Sequence, residues 1–411
     1  MFVETPISQV ELPTGLRLVY APSKLQVGFA GIYICAGARD ELSTEYGIAH
    51  MVEHMYFKGT AKRTGFQVFN RVENIGGELN AYTTKEETVI HASFVPIYLG
   101  RVLELLSDIL SHASFPEQEL ERERTVILEE MNSYKDEPSE LIFDDFEDLL
   151  FAHHELGHNI LGSAAAVRKY KRQNLIDYQQ RTYGLDRMAV FVTGPYDFQK
   201  VRRLATQYFT EIPYQQSRQS RTIFSAQAQN WQKRVTKRTA QAHCLLGALA
   251  PSIRDKRVIP FRLLTEILGG SATTSRLNKR MREKLGLVYT VEANLTSFLD
   301  TGYFSVYFAS GREELERCIS IVQEEIEKIR TIPLSQAALQ RVKTRFIGQF
   351  WLANENVENL ILTYVRYLLD DIPYTPTAQL LEQWKNITPV EICDVANEYL
   401  NPAQLNTLTY V

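Results

Sequence analysis

Two histidines and a glutamate stand close together in the run His50-Met51-Val52-Glu53-His54. On a helix, residues four apart lie one above the other, so His50 and His54 would present their imidazoles on one face. Glu53, three after His50, shares that face. Two neutral imidazoles and one carboxylate suit zinc, with the fourth position left open to water. Zinc held in this way lowers the pKa of water to about 7, and Glu53 stands where a carboxylate can take the proton. Most other positions of the segment are apolar, and burying three polar groups there is costly unless something binds them. The chemistry expected is hydrolysis.

The third ligand has to come from elsewhere in the chain. A second candidate helix carries Glu123 and Glu130, which are seven apart and share a face, whereas Glu129 is turned about 100° from Glu130. On spacing alone, either face could turn towards the metal. A rival also exists. His154-Glu155-Leu156-Gly157-His158 is a literal H-E-x-x-H. Leu161 and Ala164 stand where a three-histidine zinc site would need Gly and His, and the next glutamate after Glu155 is Glu211. The glycine-bearing text from His153 to Gly162 reads as a loop, which does not hold imidazoles at helical spacing.

The elements that must position these groups can be read from pattern. Leu16 to Tyr20 and Val27 to Cys35 are β-rich runs. The helix of the histidines carries the stripe Ile48, Met51, Val52, Met55 and Tyr56, with Ser43 or Thr44 as its expected cap and Gly59 as its end. Strands are expected near Glu78–Tyr82 and Thr88–Phe94, then a helix from about Leu99 to Ser111. Ser114-Phe115-Pro116-Glu117 is a capping-box pattern, and the helix it opens should run to about Tyr134. Another helix is expected near Leu175–Tyr183, and then a strand at Met188–Val192.

Between Pro213 and Lys237 the text turns polar, and afterwards the same grammar returns. A strand at Cys244–Leu249 leads to a helix at Pro260–Leu268, strands at Val288–Leu295 and Tyr303–Ala309, long helices and a last strand at Leu405–Val411. Ile176 and Tyr183 precede a strand as Ile392 and Tyr399 do, with equal spacing. The expected organisation is therefore a zinc-binding domain over 1–215, a linker over 216–237 and a second copy of the same α+β unit over 238–411.

The order H-x-x-E-H is the inverzincin pattern. With it, the chain resembles the pitrilysin–insulysin–mitochondrial processing peptidase family over essentially its whole length, and its small bacterial members in particular. The matching text is Gly37-Ala38-Arg39-Asp40-Glu41, His54-Met55-Tyr56-Phe57-Lys58-Gly59-Thr60, Gly76-Gly77-Glu78-Leu79-Asn80-Ala81-Tyr82-Thr83 and Glu123-Arg124-Thr125-Val126-Ile127-Leu128-Glu129-Glu130-Met131. The resemblance picks Glu130 as third ligand and makes Glu123 a further acidic residue near the metal. It maps an arginine–tyrosine pair onto Arg282 and Tyr289, donors for the oxyanion of a peptide's tetrahedral intermediate. It also implies that Gly76, Gly77, Glu78, Leu79, Asn80, Ala81 and Tyr82 form an edge at which an extended peptide adds by main-chain hydrogen bonds. The fold implied is two homologous α/β-sandwich-type units, mostly antiparallel sheets covered by helices, forming half of a clamshell.

The activity implied by the resemblance is that of a zinc endopeptidase, one ion per chain, that cleaves unfolded peptides in a closed chamber. The only histidine after His158 is His243, so the second half does not repeat the metal site. Both the metal motif and the arginine–tyrosine pair are present in one chain, which favours a homodimer over pairing with a related subunit. The alternative is a non-catalytic structural or peptide-binding subunit.

Composition narrows the classes further. The net charge of −4 and sequence pI of about 6.1 supply no basic field for nucleic acid or an anionic membrane. The first residues have no signal-peptide pattern, and no window is apolar for long enough to span a bilayer. Cys35, Cys244, Cys318 and Cys393 form no C-x-x-C pair and read as buried reduced thiols, the pattern of a cytoplasmic protein.

Overall fold

The computed structural model describes residues 6–217, 220–225, 230–354 and 356–411. Alternating and continuous apolar runs become two sheets. The first holds β1 (Ser8–Glu11), β2 (Arg17–Pro22), β3 (Gly28–Ile34), β4 (Glu78–Thr83), β5 (Thr88–Phe94) and β6 (Met188–Gly194), in the order β1-β2-β6-β3-β5-β4. The second holds β7 (Gln232–Val235), β8 (Ala242–Leu249), β9 (Val288–Ser297), β10 (Gly302–Ser310) and β11 (Asn406–Tyr410), in the order β7-β11-β8-β10-β9. β2 runs parallel to β6 and β7 parallel to β11; every other pairing is antiparallel. Apart from β1, the two sheets have the same strand order and sense, so the repeat read from the sequence is a repeat of topology. In both, the strand reached last in the sheet order, β4 or β9, is an edge.

The first unit comprises the chain up to Ser133, His158–Thr222 and Ala353–Tyr374; the second comprises Tyr134–Gly157, Ile223–Leu352 and Thr375–Val411. This differs from the linear division at 216–237, because each unit takes a helix from the other half of the sequence. In the first unit, one sheet face packs Ile32 and Ile90 against α1 (Ile48–Tyr56) and α3 (Leu99–His112), with α2 (Gly65–Glu73) alongside. The opposite face, with Val19, Phe29, Tyr33 and Phe191, is covered by Ile361 and Val365 of the helix Val357–Leu369. In the second unit, Leu246 and Phe304 face the helices Val258–Gly269 and Leu315–Thr331. Its other face, with Leu245, Tyr303 and Leu408, packs on Ile142, Phe146 and Leu150. These come from α5 (Pro138–Leu150), which comes after α4 (Glu117–Lys135) in the chain. A Cβ at Gly247 would fall 2.8 Å from the Phe146 ring, so glycine is what lets α5 approach β8 so closely. Strands buried on both faces read as nearly continuous apolar runs, which is why β3 and β6 carry little alternation.

Several boundaries differ from expectation. Of the linker 216–237, residues 218–219 and 226–229 lie outside the described residues, as do residues 1–5 at the N-terminus. Elsewhere in that stretch β7 is a strand of the second sheet, and Arg221 is partly buried and meets Asp40 at 2.8 Å in the first unit. α2 and α5 have no counterpart among the expected elements, although Thr64 and Gln67 form a capping box and Ile142, Phe146 and Leu150 a helical stripe. Cys35, Cys244 and Cys318 are buried, but Cys393 is only partly so and its thiol donates to the Arg330 carbonyl. No helix among the described residues is long and apolar enough to cross a membrane.

Candidate metal centre

α1 begins later than its sequence suggests, and neither Ser43 nor Thr44 caps it. The N-cap is Gly47, whose φ of 96° lies in the left-handed region that glycine tolerates. The acceptors that a cap would supply come from Glu41. Its carboxylate takes the backbone amides of Gly47 and Ala49, each at 2.8 Å. Glu41 is buried, and burial pushes its carboxyl well above the usual range while the Ala49 and Gly47 amides pull it back. The helix ends at Tyr56, with Phe57 rather than Gly59 at its C-cap.

The neighbouring residues of the same motif pin the loop before α1. Arg39 meets Glu86 at 2.7 Å, and Asp40 meets Arg187 at 2.9 Å and Arg221 at 2.8 Å. Burial alone would raise the Asp40 carboxyl, but Arg221 and Arg187 outweigh it and hold it below the ordinary value. The amides of Ala38 and Arg39 donate to Thr84 and Lys85 in the β4–β5 turn at 3.0 and 2.7 Å. The loop that aims α1 is thereby fastened to the strand pair that ends in the edge β4.

His50 and His54 stack edge to face on α1, their ring centroids 4.6 Å apart. α4 brings Glu130 to them. His50 Nε2 lies 3.8 Å from Glu130 Oε1, and His54 Nε2 lies 3.6 Å from Glu130 Oε2. One ligand atom from each of the three residues lies within 4.8 Å of the others, and among the described residues no other group of His, Cys, Asp and Glu converges in this way. These gaps are too long for hydrogen bonds. They suit donors around a common ion, because zinc bonds of about 2.0–2.2 Å place tetrahedral ligands roughly 3.4 Å apart. The donor set of two imidazoles and a carboxylate therefore fits zinc.

Burial and the neighbouring His54 depress the pKa of His50 to about 3, so the imidazole is neutral at ordinary pH, the form that binds metal. Its Nδ1 is buried with no hydrogen-bond partner among the described residues. His54 differs: its Nδ1 meets Glu123 Oε2 at 3.0 Å, and Glu123 Oε1 meets Lys58 Nζ at 2.6 Å. Burial would raise the Glu123 carboxyl, yet the bonds to His54 and Lys58 hold it below the usual value. The Glu130 side chain is 43% exposed against 7% for Glu123, so water reaches the group from the Glu130 side.

Glu53 completes the group. Burial raises its carboxyl above the ordinary range and Glu130 adds to this, against a hydrogen bond with Thr83 and the nearby His54. Thr83 ends β4, so the carboxylate is tied to the edge strand. Along that edge, Leu79 is buried while Glu78 and Asn80 are exposed, and Ala81 and Tyr82 are partly buried. Gly76 has a φ of 70° with open space around it, and a Cβ at Gly77 would fall 2.7 Å from the Ser93 carbonyl. Both glycines precede the strand rather than belong to it.

Arg282 and Tyr289 lie together in the second unit. Arg282 sits on the π-helical turn Asn278–Lys284, and its guanidinium is 5.6 Å from the centroid of the Tyr289 ring. Tyr289 stands near the start of the edge strand β9 and is 81% exposed. The rival histidines are in a non-helical segment. His158 is buried, bonded to Glu41 at 2.9 Å and stacked on Tyr46, and His154 Nδ1 accepts the Leu156 amide.

Residues 19–164 match the family model described as Insulinase (Peptidase family M16), and residues 169–346 match that of the peptidase M16 inactive domain. An uncharacterized zinc protease of Rickettsia felis is 30% identical over 88% of this chain and 87% of its own. One of Mycobacterium leprae is 29% identical over 96% and 89%, and YmxG of Bacillus subtilis, also named as an uncharacterized zinc protease, 27% over 86% of each. Among solved structures, a peptidase M16 inactive domain from Pseudomonas fluorescens superposes with a TM-score of 0.90 at 17% identity, covering 98% of each chain. A protease from Helicobacter pylori gives 0.89 at 22% identity, over 99% of this chain and 100% of that one.

Proposed function

Since this chain belongs to the insulinase family of peptidases, family M16, we propose that it is a zinc-dependent endopeptidase acting on unfolded peptides. The observation that carries the reading is the convergence of His50, His54 and Glu130 beside the partly buried carboxylate of Glu53. A zinc ion held by those three residues supplies Lewis acidity and lowers the pKa of water to about 7. Glu53 then takes a proton from water, and its raised pKa keeps it able to give that proton on to the leaving amine. β4, an exposed edge, binds the substrate main chain as an added strand, which gives little side-chain selectivity and requires an extended, unfolded peptide. Because Thr83 of that strand bonds Glu53, the peptide and the base are set by one element.

Arg282 and Tyr289 serve as oxyanion donors in this reading, and the chain works as a homodimer in which each copy offers its pair to the zinc of the other. Mass spectrometry of products from a mixed peptide pool tests the activity. Cleavage that stops on chelation and returns with zinc is expected. A zinc-loaded protein that binds peptides but never cuts them would make it a peptide-binding subunit instead.

A further inference from the structure

We propose that Lys58 is a positioning residue for the metal centre, acting through Glu123 on His54. The inference rests on the zinc reading above and adds a component to it. Lys58 lies just past the end of α1, four residues beyond His54; its own amide donates to Met55 at 3.2 Å. A Cβ at Gly65 would fall 3.2 Å from the Lys58 Cα, so the loop packs tightly there and the origin of the lysine side chain is fixed.

The Glu123 carboxylate has two oxygens and two partners. Oε1 takes Lys58 Nζ at 2.6 Å and Oε2 takes His54 Nδ1 at 3.0 Å. With each oxygen held by a different donor, the carboxylate plane cannot turn without breaking one bond. An acceptor at Nδ1 requires the hydrogen there, which leaves the Nε2 lone pair facing Glu130. Among the described residues the His50 Nδ1 has no such partner, so Lys58–Glu123 is the device by which a side chain sets a ligand tautomer in this centre.

Simple electrostatics predicts the opposite sign. An ammonium near a dication repels it, and removing the ammonium would tighten zinc. If Lys58 acts as a positioning residue, removing it weakens zinc.

The experiment measures zinc affinity of the full chain by competition with a chelating indicator. Lys58→Met keeps the stem and should weaken binding about 10- to 100-fold, the usual effect of losing a partner behind a ligand. Lys58→Arg, which keeps the charged donor, should restore most of it. In a Glu123→Gln background, Lys58→Met should add nothing further, because the residue it acts through is gone. Affinity in Lys58→Met equal to or tighter than wild type overturns the proposal, as does an undiminished effect in the Glu123→Gln background. Side-chain nitrogen NMR of His54 in metal-free protein gives a reading independent of affinity. The Nδ1–H tautomer should dominate in wild type and Lys58→Arg and lose its dominance in Lys58→Met; its retention in Lys58→Met overturns the proposal. A wild-type chain that takes up no zinc overturns the zinc reading together with the positioning role, whereas zinc-binding wild type with an unchanged Lys58→Met overturns the role alone.

Discussion

Glu41 Oε1 accepts the backbone amide of Ala49 at 2.8 Å, immediately before the first histidine of the centre. The direction of the ligand helix is therefore set by a buried carboxylate eight residues upstream. Glu41→Ala leaves the Gly47 and Ala49 amides without that acceptor. It should cost about 1–3 kcal/mol in denaturant unfolding and weaken zinc as well. An unchanged unfolding midpoint would show that the helix is held by other means.

His50→Ala, His54→Ala and Glu130→Ala should each remove the metal, as measured by elemental analysis of the purified protein, because each deletes one of the three proposed ligands. His154→Ala should leave zinc in place. His158→Ala should also keep zinc but melt earlier, since it strips a partner from Glu41 and a stacked ring from Tyr46. Metal loss in the two loop variants with retention in the first three would move the centre to the other motif.

Glu53→Gln preserves shape and removes the proposed base. Zinc content should stay at the wild-type level while turnover vanishes. Cleavage at the wild-type rate would show that another group takes the proton.

The metal-free protein should lose stability as pH falls from about 6.5 to about 3. In that window the unfolded His50 takes up a proton and the folded one does not, so acid favours unfolding, by up to about 1.4 kcal/mol per pH unit. His50→Leu should flatten the dependence. Parallel curves for the two proteins, measured as melting temperature against pH, would show that His50 is not the linked group.

Tyr289→Phe should slow turnover by about 10²–10³ if its hydroxyl is an oxyanion donor. Mixed with Glu53→Gln, it should recover activity if the donors serve a neighbouring copy's zinc. With free exchange about half of the dimers are mixed and each has one intact site, so roughly a quarter of wild-type activity returns. No recovery after exchange is verified by native mass spectrometry would place both residues at one site within one chain, or leave Tyr289 with no role.

The candidate metal group is legible because its logic is local. His50, Glu53 and His54 share one turn, and only their partner on α4 needs more than spacing: Glu123 and Glu130 share one face, Glu129 stands on another, either face could turn to the histidines, and the family resemblance picks Glu130. The strands were legible for the same reason, since runs such as Gly28–Ile34 are apolar without interruption. What was hidden depends on long-range pairing. Nothing near Gly47 announces that Glu41 caps the helix, because the acceptor reaches across a turn instead of occupying the cap position. Arg39 and Asp40 look like surface charges in a polar loop, and only Glu86, Arg187 and Arg221 make them interior ones. α5 had a readable stripe, but its sheet begins with strands almost a hundred residues later.

That exchange of helices has a consequence for synthesis. The hydrogen bonds of the first sheet can all form once Gly194 has been made, yet the face bearing Val19, Phe29, Tyr33 and Phe191 is covered by Ile361 and Val365 of the much later helix Val357–Leu369. At about 5–20 residues per second the face stays open for on the order of ten seconds while the chain is still on the ribosome. Protease sensitivity of chains stalled before and after residue 369 would measure this directly. α5 has the reverse problem, since its apolar stripe leaves the ribosome before any strand of the sheet that will bury it. A nascent chain therefore presents two unmatched apolar surfaces at once, and both are closed only as the second half of the sequence is made.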